Sequence, residues 1–143
     1  MPKHQIPADE ELRKRLPDIQ ANVVDGIRWK CARYHFLKIV QPAVFADALA
    51  KSLAKYPLPT ANTALKSPAL HYALNISFTH PGLEALGVNP QLLDVFPNAF
   101  REGMAARAER LGDTGESAPE HWDRWLGTPD VHVLCALLAD DED

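Results

Sequence analysis

The stretch ALHYALNISF, residues 69–78, decides the fold. Tyr72, Leu74, Ile76 and Phe78 fall on one side of an extended chain, and His71, Ala73, Asn75 and Ser77 on the other. That period of two is the mark of a half-buried strand. Outward from it lie two more stretches with strand character. VHVLCALLA, residues 131–139, is apolar on both faces, so it must lie in the middle of a sheet or be covered on both sides. CARYHFLKIV, residues 31–40, is rich in aromatic and β-branched residues and free of Gly and Pro, which reads as a buried strand.

Helical spacing fills the gaps between them. Pro42 opens AVFADALAKSLAKY, in which Phe45, Leu49, Leu53 and Tyr56 recur on one face before Pro57 and Pro59 stop the helix. Residues 58–68 have little pattern, and a short edge strand is expected over residues 61–65. Thr79 caps a short helix closed by Gly87, and NPQLLDVF, residues 89–96, gives a further turn or two. A longer helix is expected over residues 97–111, with Phe100, Met104, Ala108 and Leu111 on one stripe and Gly112 as its C-cap. GDTGESAP, residues 112–119, reads as a loop, and HWDRWLG, residues 121–127, is amphipathic and aromatic. At the front, ADEELRKRL, residues 8–16, places acids before bases, as the helix dipole favours, so a short surface helix is expected. Pro17 interrupts it, and Asp18 caps a second turn ending at Asp25-Gly26. The division expected is a helical arm over residues 1–30 and one domain over residues 31–143.

The order strand, helix, weak strand, strand, helices, strand is the βαββαβ pattern of a ferredoxin-like α+β domain, an antiparallel sheet with helices on one face. The first and last strands should be antiparallel neighbours. Cys31 and Cys135 would then be offset in register and unable to form a disulfide. The other sheet face is left bare. Because the first and last strands are apolar on both sides, a second domain or subunit is the natural cover.

Composition narrows the function. A formal net charge of -4, a pI near 5.8 and no basic face give no reason to expect a nucleic-acid partner. No apolar stretch approaches the roughly 20 residues that span a bilayer. The polar start, Met1–Glu11, lacks the apolar core of a secretory signal, so the expected location is the cytoplasm. Both cysteines read as core thiols. His71 and His132 lie on strands with no second ligand at a metal spacing on the same element, and His121 reads as a surface residue. Asp140–Asp143 lacks the spaced oxygens and glycine of a calcium loop. Trp29, Trp122 and Trp125 could stack on an aromatic ligand, though packing with a wet edge explains three scattered tryptophans. There is no G-x-S-x-G elbow, Walker loop or G-x-G-x-x-G. No catalytic, cofactor-binding or metal residue is assigned.

Several phrases taken together resemble a known family. DIQANVVDG, residues 18–26, followed by RYHFLKI, residues 33–39, resembles the opening of the dye-decolorising (DyP-type) haem peroxidases. LNISFTHPGLEALGV, residues 74–88, FREGMAARAERLGDTGESAP, residues 100–119, and VHVLCALLADD, residues 131–141, continue in the family's order. Ala21 stands where that opening usually has Gly. The resemblance implies half of a two-domain arrangement in which ferredoxin-like halves pack their sheets together. It also implies a peroxide-dependent oxidation of dyes and aromatic compounds, with haem held in the C-terminal half. The family's proximal His, distal Arg and G-x-x-D-G motif have no counterpart here. The nearest string, NVVDG at residues 22–26, has Asn in place of the first Gly. The expectation is therefore an N-terminal half, without haem and inactive alone, whose partner is the C-terminal half. The alternative is a non-enzymatic ferredoxin-like module that pairs with a second copy through its open sheet face.

Overall fold

A computed structural model describes residues 9–25, 30–66 and 72–140. The helices are α1 (Glu10–Arg15), α2 (Asn22–Asp25), α3 (Pro42–Lys55), α4 (Ala61–Lys66), α5 (His80–Ala85), α6 (Pro90–Leu93), α7 (Asn98–Glu102) and α8 (Ala108–Leu111). The strands are β1 (Cys31–Leu37), β2 (Tyr72–Phe78) and β3 (Val133–Ala139), in the sheet order β1-β3-β2. The His132 N–H donates to the Leu37 carbonyl at 2.9 Å and the Thr79 N–H to the His132 carbonyl at 3.1 Å. Both bonds join the end of one strand to the start of β3, so β3 runs antiparallel to both neighbours. The fold is α+β and ferredoxin-like, with β3 in the centre, as its two apolar faces required. Cys31 and Leu138 are equally far along their strands from the Leu37–His132 bond, so an unbroken ladder sets Cys31 opposite Leu138. Both cysteines are free.

Local chemistry explains the element ends. The Asp9 carboxylate accepts from the N–H groups of Glu11 and Leu12 at 2.8 and 3.3 Å and starts α1. Thr79 starts α5, its hydroxyl accepting from the Gly82 N–H at 3.1 Å. Three expectations need correction. Residues 61–65 form α4 instead of an edge strand, because Thr60 accepts from the Thr63 N–H at 3.2 Å and the alanines that follow favour a helix. The helix expected over residues 97–111 breaks at Gly103, whose φ of 74° and ψ of -177° lie outside helical space. It resumes as a 3-10 turn, Ala105–Arg107, and then α8, so Met104 and Leu111 are exposed. Strand β1 has no buried residue, since it is a sheet edge with open faces. Helix α3 is likewise unburied, although Phe45, Leu49 and Leu53 form its less exposed stripe.

Contacts group the described chain into two compact units. The first contains Met1–Tyr34, Lys51–Ile76 and Cys135–Asp143, over its described residues. Its core sets Leu138 among the small side chains of Ala21, Ala64 and Ala73. Gln20 and Asn22 are bonded to β2. The Gln20 side chain donates to the Ile76 carbonyl and accepts from the Ile76 N–H, both at 2.8 Å, and so imitates a neighbouring strand along β2. The Asn75 amide donates to the Asn22 side-chain oxygen at 2.7 Å. The second unit contains His35–Ala50 and Ser77–Leu134. Its fixed point is His132, whose backbone carries the two bonds that set the strand register. The Cα of Gly82 packs so closely on the His132 carbonyl that no side chain fits there.

Candidate functional site

Two features can carry function, one in each unit. In the first unit the β2 alternation separates two unlike faces. Ala73 (0% exposed) and Asn75 lie on the buried side, and Leu138 (7%) joins Ala73 in the core. Strand periodicity then puts Tyr72, Leu74 and Ile76 of β2 with Cys135 and Leu137 of β3 on the other face. Tyr72 is 44% and Leu137 39% exposed, and the remaining three are half-buried. The outward side of β2 thus carries the larger apolar residues and its inner side Ala73 and Asn75, with Leu138 of β3 packed on Ala73. Burial pushes the Cys135 thiol up from its ordinary pKa, so it behaves as an apolar group there.

In the second unit a cavity of about 450 Å³ is lined by Phe78, His80, Phe100, Met104, Leu126 and Val131 among others. The His80 ring, 16% exposed, meets Phe100 edge-on at 6.2 Å, and Phe100 in turn stacks on Phe96 at 4.8 Å. The His80 Nδ1 lies 3.6 Å from the Glu84 carboxylate, ion-pair range for a protonated imidazole. Two other polar groups of the cavity are engaged. Thr79 donates to the Val131 carbonyl at 2.7 Å, and Arg101 is held by Asp94 at 3.2 Å and Asn98 at 2.6 Å. His80 escaped the sequence reading because its phrase looked like a helix cap; the spacing to Glu84 was the available signal.

The singled-out residues are dispersed. His132 Nδ1 accepts from the Ile39 N–H at 3.0 Å and so serves the backbone. His121 is exposed. Trp122 packs beneath Gly127 and donates to the Ser117 carbonyl at 2.8 Å, while Trp125 lies under the Arg124 guanidinium at 4.1 Å. His71, Trp29 and the last three acids lie outside the described residues. Among the described residues no group of His, Cys, Asp and Glu could hold a metal ion, and no helix is long and apolar enough to cross a membrane.

A small-cored α+β domain with an outward apolar sheet face is the class the structure defines. Residues 18–143 match the family model described as the DyP dimeric alpha+beta barrel domain, and the chain belongs to this dye-decolorizing peroxidase family. It is 32% identical over 127 residues to a dye-decolorizing peroxidase of Exidia glandulosa, covering 87% of this chain and 24% of that protein. It is 30% identical over 128 residues to one of Auricularia auricula-judae, covering 88% and 23%. The crystal structure of a decolorizing peroxidase from Auricularia auricula-judae superposes with a TM-score of 0.73 at 26% identity, over 88% of this chain and 27% of that one. The chain spans about a quarter of the length of the curated relatives it matches.

Haem is the cofactor of this family. It needs an axial imidazole and partners for its carboxylates. Here the His132 Nδ1 is taken by Ile39, the His80 ring is packed on Phe100, and the arginine of the cavity is held by Asp94 and Asn98. Neither the His132 Nδ1 nor the cavity arginine is therefore free to hold a haem.

Proposed function

We propose that this chain is the N-terminal half of a DyP-type haem peroxidase, a helical arm over residues 1–30 followed by a ferredoxin-like body over residues 31–143. The partner is the C-terminal half, which docks on the face of Tyr72, Leu74, Ile76, Cys135 and Leu137. The whole enzyme oxidises dyes and other aromatic substrates with hydrogen peroxide, in the cytoplasm, using haem held by the C-terminal half. No step of that chemistry falls to this chain, which supplies scaffold.

The observation that supports this reading is the outward apolar face on a chain a quarter as long as its relatives. Burying a large apolar side chain contributes about 1.5–3 kcal/mol, so covering even part of the face would stabilise a docked half appreciably. The test is to sequence the transcript across the Asp143 codon. The reading expects a frame that continues into G-x-x-D-G and a later His. A stop codon, with no such frame elsewhere in the genome, would contradict it.

A further inference from the structure

We propose that His132 is an acid-sensitive latch, holding the link between β1 and α3 against the start of β3 only while its imidazole is neutral. The Ile39 N–H donates to His132 Nδ1 at 3.0 Å, so that nitrogen carries no proton and acts as the acceptor. Ile39 is 6% exposed, so its amide has little access to water as a substitute partner. Protonation would set an N–H at Nδ1 against the N–H of Ile39, donor against donor.

The imidazole cannot escape by carrying the backbone with it. The His132 N–H donates to the Leu37 carbonyl at 2.9 Å, and the His132 carbonyl accepts from the Thr79 N–H at 3.1 Å and from its hydroxyl at 3.3 Å. Gly82 presses on the same carbonyl. Asp130, from the turn before β3, interacts electrostatically with the imidazole, and Lys38, just after β1, pairs with Asp130; Thr79 and Gly82, from the start of α5, are uncharged. Lys38 Nζ and Asp130 Oδ1 pair at 2.7 Å. That bond holds the Asp130 carboxyl below its ordinary range, so the pair stays ionised while an imidazole titrates. Asp130 is thereby engaged with Lys38 and does not replace the lost Ile39 bond. Acid therefore frees Ile39 and the link into α3, while the backbone bonds of His132 remain.

Amide exchange in the full chain, corrected for intrinsic rates, tests this between about pH 7.5 and pH 5, the span in which an imidazole titrates. The wild-type Ile39 amide should lose roughly tenfold or more of its protection toward acid, and the Thr79 amide should keep its own. His132→Asn offers a non-titrating acceptor near the place of Nδ1 and should remove the pH dependence at Ile39. Wild-type protection that is flat across this range, or an equal acid loss in His132→Asn, overturns the proposal. If His132→Asn fails to fold, the wild-type nitrogen spectrum decides. The Ile39 amide shift must follow the same titration curve as the His132 ring nitrogens, and separate curves overturn the latch.

Discussion

The His132 carbonyl occupies the place a side chain on Gly82 would need, with the backbone of each residue in contact with the other. Helix α5 and the start of β3 can approach this closely only because residue 82 is glycine. Gly82→Ala should therefore cost about 2–3 kcal/mol, the upper part of the range for overpacking, since the obstacle is backbone that cannot rotate away. A urea titration reads the cost as a shifted midpoint. A change below about 0.5 kcal/mol would mean the two segments separate freely.

Gln20 replaces a missing strand along β2, with one donated and one accepted bond to the same residue, Ile76. Gln20→Ala leaves both backbone groups without that partner and should destabilise by about 1–3 kcal/mol. Gln20→Glu keeps the acceptor and loses the donor, so it should fall between alanine and wild type. Equal stability of all three would show that these two bonds add nothing.

Leu137 and Leu138 are adjacent in β3 but lie on opposite faces. Leu138→Ala should cost about 2–5 kcal/mol, as in a packed core, and Leu137→Ala about 1 kcal/mol or less. Binding of a fluorescent hydrophobic dye should fall in Leu137→Ala. Similar costs at both positions would contradict an outward apolar face.

The Lys38–Asp130 pair gives a signed pH effect. Lys38, by its hydrogen bond and its charge, depresses the Asp130 carboxyl below its unfolded value. The contribution is thus present above the ordinary carboxylate range and is lost as pH falls through it, below about pH 4. Asp130→Asn should lower the thermal midpoint at neutral pH and flatten the drop in that acid window. Salt should shrink the difference, because both groups are solvated. An unchanged acid limb in Asp130→Asn would refute the assignment.

Residue type carried much of the fold. The period of two in residues 72–78 and the doubly apolar run in residues 133–139 marked β2 and a central β3, and the acid-before-base order of residues 8–16 and Thr79 marked two helices. What escaped depended on partners and backbone angles. The composition of β1 says strand but not edge, and its aromatic residues implied a burial that this chain alone does not give. The stripe from Phe100 to Leu111 is helical in period, yet the positive φ of Gly103 breaks it. The alternation of β2 showed two faces without showing that Ala73 and Asn75, the smaller set, would be the inner one. His80 drew no notice because its cavity is assembled from residues far apart in sequence.

The central claim is that this chain is a haem-free scaffold for a peroxidase half. Titrating haem into the purified chain and following the Soret band tests it most directly. The account predicts a weak, non-saturating change with no fixed stoichiometry and no peroxide turnover. A sharp Soret band that saturates at one haem per chain, with peroxidase activity, would contradict it.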